Sequence, residues 1–107
     1  MNNDPIPLEC LRVESMASGD LSLRLTECIG WEDFPGYAET VVGWLGGVIA
    51  ARADSAAERV WDVRIQGQRF WLALDDFGLG VSLDSQDAEA SIRIECIRRD
   101  LLRRAAG

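Results

Sequence analysis

The chain has 107 residues, 48% of them hydrophobic and 27% charged, with a formal net charge of −7. This is the composition of one globular domain over residues 1–107, with room for a single core and none for a second. There is no histidine and no lysine, and all eleven cations are arginine. That excludes an imidazole general base or metal ligand, a lysine Schiff base and a phosphate-loop lysine.

Charge is distributed unevenly. Residues 1–40 carry eight acids against two arginines, residues 41–92 eight against four, and residues 93–107 two against five. An acidic body repels nucleic-acid backbones, whose binding depends on neutralising phosphates, and the five C-terminal arginines are too few to reverse this. No nucleic acid is therefore expected as a partner. Cys10, Cys28 and Cys96 stand far apart with no C-x-x-C spacing, an odd and unpatterned set that fits a reducing compartment. The start MNNDPIPLEC is acidic where a signal peptide is basic, and the apolar run from Val41 to Ala51 falls well short of the ~20 residues of a membrane helix. The expectation is a cytoplasmic protein with no membrane partner.

In chain order, Pro5 and Pro7 predict an irregular leader over residues 1–7. From Leu8 an untidy strand follows through Cys10, Leu11 and Val13, then a turn over Ser15–Asp20. Leu21, Leu23 and Leu25 alternate with Ser22, Arg24 and Thr26, which predicts a second strand and an N-terminal hairpin. Asp33 or a neighbour as cap and Pro35 in the first turn open a helix whose apolar stripe is Phe34, Ala38, Val41 and Leu45; Gly46 and Gly47 end it. Val48 to Ala53 has room for a short additional strand.

The stretch from Arg59 to Asp84 reads as a three-stranded meander. Trp61, Val63 and Ile65 share one face, Gln66 and Gly67 make a two-residue turn, and Val63 then lies opposite Phe70 and Trp61 opposite Leu72. A second turn through Asp75, Asp76, Phe77 and Gly78 leads to Leu79, Val81 and Leu83, giving a core face of large apolar side chains. Asp84 or Ser85 caps a last helix, with Asp87 in its first turn and Ala90, Ile94, Ile97 and Leu101 along its buried face. Ile92, Cys96 and Leu102 lie on its other sides, and Cys96 reads as a small buried side chain. The fold class is α+β: a two-layer sandwich in the order β-β-α-(β)-β-β-β-α, an antiparallel sheet with both helices on one face.

Little here carries chemistry. Asp76-Phe77-Gly78 matches the kinase metal-binding tripeptide, but a kinase also needs an ATP-contacting lysine and a separate catalytic loop. Asp75, Asp76, Asp84 and Asp87 would form a hard-cation site only by converging, and their spacing matches no calcium loop; turn acids are ordinarily solvated or used as caps. Gly78-Leu79-Gly80 precedes a strand instead of a helix and is no nucleotide loop. No catalytic residue, cofactor or metal ligand is assigned.

The aromatics are more informative. Alternation puts Trp71 on the face opposite Trp61 and Phe70, beside Ala73, Gly80 and Ser82. With Arg64, Arg69 and Asp62 around it, an uncovered Trp71 has the composition of an interaction surface; the other reading is that the leader or the first strands cover it. Trp31, Tyr37 and Trp44 around the first helix form either a second patch or, more simply, core packing.

The helix start WEDFPGYAE (Trp31 to Glu39) and the later RFWLALDDFGLGVSLD (Arg69 to Asp84) resemble a family of small, uncharacterised single-domain bacterial proteins. The resemblance implies a bacterial, cytoplasmic α+β protein and transfers no catalytic residue. The expected function is a non-enzymatic protein-protein interaction module, with a homodimer through the uncovered sheet face or the last helix as one form. One alternative is an acidic immunity- or antitoxin-like inhibitor of a basic partner, and another is a small-molecule or metal-binding enzyme using the Asp75/Asp76 turn.

Overall fold

A computed structural model describes residues 6–75 and 80–106. Its elements are β1 (Arg12–Ser15), β2 (Leu21–Thr26), α1 (Phe34–Trp44), β3 (Val48–Asp54), β4 (Glu58–Ile65), β5 (Gln68–Asp75), β6 (Gly80–Ser85) and α2 (Ala88–Ala106). The strands form one antiparallel sheet in the order β1-β2-β6-β5-β4-β3. The fold is α+β, and the strand at residues 48–54 takes the edge position beside β4.

The β4–β5 hairpin sets the register of the centre. Gln66 and Gly67 both have positive φ, 53° and 79°, the conformation in which a two-residue turn matches the twist of its strands. Trp61 then lies opposite Leu72 and Val63 opposite Phe70, as the alternation predicts. Trp61, Val63, Ile65, Phe70, Leu72, Leu74, Val81 and Leu83 are all buried on one face; Leu79 and the Asp76-Phe77-Gly78 turn lie outside the described residues.

Both helices pack on that face. From α1, Phe34, Tyr37, Ala38, Val41 and Val42 enter the core, and from α2 Ala90, Ile94, Ile97 and Leu101. Phe34 meets Trp61 edge to face at 4.9 Å between ring centroids, a favoured aromatic arrangement. The indole nitrogen of Trp61 donates to Asp54 Oδ1 at 3.0 Å, so the core's largest side chain keeps its polar atom satisfied. α1 ends in a Schellman motif: Gly46, at φ 68°, donates to Gly43 O and Gly47 donates to Val42 O at 2.9 Å.

Three local expectations need correction, and a fourth, the cap of α1, needs refinement. The first regular strand begins at Arg12, not Leu8, because Leu11 turns to φ 40° to bury its side chain and breaks the alternation. Asp33 is the N-cap of α1, as expected, though without a side-chain hydrogen bond, since its own backbone is already helical and an earlier bond from Phe34 N to Gly30 O starts the turn. Neither Asp84 nor Ser85 caps α2, because β6 pairs with β5 as far as Ser85 opposite Phe70. The cap is Asp87, whose Oδ1 accepts from Ala90 N at 2.8 Å. Cys96 is exposed, as are Ile92 and Leu102, because the buried stripe of α2 already occupies the sheet.

Candidate interaction surface

The pleat puts every second residue of β4, β5 and β6 on the side away from the helices. Reading across the strands, one row of that outer face is Asp62, Trp71 and Asp84, and the next is Val60, Ala73 and Ser82. Arg64 pairs with Arg69 toward the Gln66–Gly67 turn, and Glu58 with Asp75 at the opposite end of the same strands. Trp71, Arg64, Arg69 and Asp62 are thus brought together, as the sequence predicts.

Trp71 is 41% exposed, whereas Trp61 on the other face is 2% exposed. Its neighbours explain this. Ala73 and Ser82 are small, both helices lie across the sheet, and the described part of the leader runs on the helix side, where Pro7 O accepts from the Tyr37 hydroxyl at 2.7 Å. Burial of Tyr37 pushes its phenol well above the usual range, so it remains a donor. The first two strands extend the sheet at its edge and do not cover it. Among the described residues nothing lies over Trp71.

The acids beside Trp71 are held in place. Asp62 Oδ1 accepts from Gln86 Nε2 at 2.8 Å, and the same amide nitrogen donates to Phe70 O at 2.9 Å. Arg64 Nη2 approaches Asp62 Oδ2 at 3.5 Å, a long and weak contact. Asp84 Oδ1 accepts from the Ser22 hydroxyl at 2.6 Å. Sequence reasoning does not single out Gln86, and it offers Asp84 or Ser85 as the helix cap. Asp84 and Gln86 both keep the outward parity of Ser82, a signal present in the sequence, but the reach of Gln86 to Asp62 depends on where β6 ends.

The three aspartates among the described residues, Asp75, Asp84 and Asp87, do not converge. Asp75 pairs with Gly80 at one end of the β5–β6 ladder, and Asp84 lies opposite Trp71, four residues and roughly 13 Å along β5. Asp87 is committed to the α2 cap, and Asp76 lies outside the described residues. Among the described residues no group of three or more cysteine, aspartate or glutamate side chains is arranged to hold a metal ion. Trp31 and Trp44 form no joint patch either: they flank α1 at its two ends, Trp31 under Arg59 at 4.2 Å and Trp44 under Arg104 at 5.6 Å.

One polar cluster was not foreseen. Glu9 accepts from Thr26 Oγ1 at 2.7 Å and from Glu27 N at 2.8 Å, and both Cys28 and Cys10 direct their thiols at its Oε2, at 3.6 and 3.7 Å. Desolvation raises the carboxyl's pKa, but the bonds from Glu27, Thr26 and Cys28 together outweigh it and bring the pKa from 4.5 down to about 2. Desolvation and the charges of Glu9 and Glu27 push the Cys10 thiol up, which disfavours the reactive thiolate. The cluster fastens the segment before β1 to the end of β2.

The architecture is that of a small α+β protein with an open-faced sheet. A family model described as Protein of unknown function (DUF3630) matches residues 11–96, and the chain belongs to that family. The matched span contains all six strands and therefore the whole outer face. No curated protein and no solved structure matches the chain.

Two tests follow from this geometry. Trp61→Ala should cost about 3 to 5 kcal/mol, as for other large core truncations, and Trp71→Ala less than about 1 kcal/mol in denaturant unfolding; equal losses would mean that the outer face is covered. The Glu9 carboxylate has a lowered pKa when folded, so its stabilising effect is complete above pH 4.5 and disappears as pH falls through about 2. Because Glu9 is exposed, Glu9→Gln should cost only about 1 kcal/mol at neutral pH, with the difference from wild type closing between pH 4.5 and 2.

Proposed function

We propose that this chain is a non-enzymatic protein-interaction module whose contact surface is the outer face of the sheet around Trp71. The observation that carries this reading is Trp71 itself, a large ring on a shallow uncovered face and flanked by two carboxylates that its own chain holds in place. A rigid aromatic projecting from a flat, polar-rimmed surface is the usual form of a binding hot spot. The three free cysteines suit a reducing compartment.

A photoreactive benzophenone side chain at position 71 should give a discrete covalent adduct in native cells, and Arg69→Glu beside it should weaken that adduct. The same group at position 92, exposed on α2 away from the sheet, should not yield that product. Adducts from position 92 alone would overturn the reading.

A narrower reading is an acidic immunity- or antitoxin-like protein that masks a basic partner. Glu32 and Asp33, exposed just before α1, favour it; Glu39 does less, since Arg52 lies 3.3 Å from its carboxylate. If a basic partner binds there, reversing Glu32 and Asp33 to arginine should abolish its capture and leave the adduct at position 71 intact. Loss of the position-71 adduct instead would count against separate surfaces.

A further inference from the structure

The outer face has a pattern of charge and shape along β4 and β5 that its composition does not reveal. From the Gln66–Gly67 turn outward, its paired rows are Arg64 with Arg69, Asp62 with Trp71, Val60 with Ala73, and Glu58 with Asp75. One end is cationic and the other anionic, and between them a large ring stands next to a shallow apolar row. The Arg69 guanidinium and the Glu58 carboxylate are exposed and form no ion pair with a described residue.

Two sheets stacked face to face by a two-fold axis have two simple arrangements. An axis parallel to the strands sets the arginine end on the partner's arginine end, which like-charge repulsion disfavours. An axis across the strands, passing between the Trp71 and Ala73 rows, sets the Arg64–Arg69 end on the partner's Glu58–Asp75 end. The same operation lays Trp71 over the partner's Ala73 row, and it does so twice by symmetry. Asp62, which then faces an apolar row, already accepts from Gln86 in its own chain.

Resting on the proposed function above, we propose that the occupant of the outer sheet face is a second copy of this chain, stacked on it by a two-fold axis that crosses the strands of β4 and β5. The available area agrees. With strands about 4.8 Å apart and about 3.3 Å of rise per residue, six strands of up to eight residues present roughly 600 Å², comparable with the ~800 Å² per partner of a standard interface. The contact is isologous, so it closes at two chains. The exposed edge strand β3 offers a weaker route to pairing, because a bulge between Ile49 and Ala51 interrupts its ladder with β4.

The test is sedimentation equilibrium of the full chain up to high micromolar concentration, with circular dichroism to confirm that each variant is folded. The wild type should sediment at twice the 11.8 kDa chain mass. Trp71→Ala should weaken the dimer by at least about thirtyfold, and Arg64→Glu or Glu58→Arg alone by at least about tenfold. The double variant Arg64→Glu/Glu58→Arg should recover dimerisation to within a few-fold of wild type, because an axis across the strands sets residue 64 on the partner's residue 58 and the exchange restores opposite charges; with the axis along the strands, Arg64→Glu would instead face the partner's Arg69 and strengthen the contact. A double variant as weak as the singles would overturn the arrangement. A wild-type monomer would overturn the second copy as occupant, while a position-71 adduct with a different protein would leave the reading of the face standing. A dimer indifferent to Trp71→Ala but lost on Leu102→Arg would place the contact on α2 and overturn both.

Discussion

Gln66 and Gly67, both at positive φ, close β4 onto β5 with Ile65 opposite Gln68, and that register decides on which side of the sheet each neighbouring residue falls. Because side chains alternate with a period of two, a slip of one residue would exchange the faces. Trp61 would leave its contact with Phe34 and its bond to Asp54, and Trp71 would have to enter a core with no room for it. A short turn thus separates two tryptophans ten residues apart in sequence, one that holds the molecule together and one that remains available.

Fixed charge surrounds the ring on the open face. Asp62 and Asp84 stand on either side of Trp71, each held by a hydrogen bond from outside its own strand pair, Gln86 for one and Ser22 for the other. These bonds tie the end of β6 and the neighbouring β2 into the same surface. Both carboxylates are thereby ordered by the chain itself. Polar fastening elsewhere follows the same logic: Glu9 holds the segment before β1 against β2, Ser91 Oγ accepts from Leu21 N at 2.9 Å, and Arg98 Nε donates to Leu11 O at 2.9 Å across the α2–β1 gap. The described residues before α1 are thereby tied to α2 and to the edge of the sheet, on its helix side.

Much of this was legible beforehand, and the misses have definite causes. The β4–β5 pairing was readable because the alternation and the Gln-Gly turn agree, and the apolar stripes of both helices because their spacings are regular. Leu11 defeated the alternation by adopting a backbone conformation that leucine rarely takes. Asp84 was misassigned because aspartate serves equally well as a helix cap and as an outward strand residue, and only the pairing of Ser85 with Phe70 decides between them. Cys96 was expected to be buried from its small apolar character, but the stripe from Ala90 to Leu101 fills the contact of α2 with the sheet.

Local pattern therefore determined which residues form each element, which face of each strand is apolar, and that Trp71 opposes Trp61. Those properties depend on neighbours within a few positions, through backbone sterics and the periods of helix and strand. Whether Trp71 is exposed could not be read locally, because it depends on where distant segments lie. Pairing of β2 with β6, across more than fifty residues, builds the wide sheet. The packing of α1, α2 and the described leader on its inner side then leaves the outer side open. Only tertiary structure chose that side, because burying the apolar faces of both helices against the single apolar face of the sheet removes the most hydrocarbon from water.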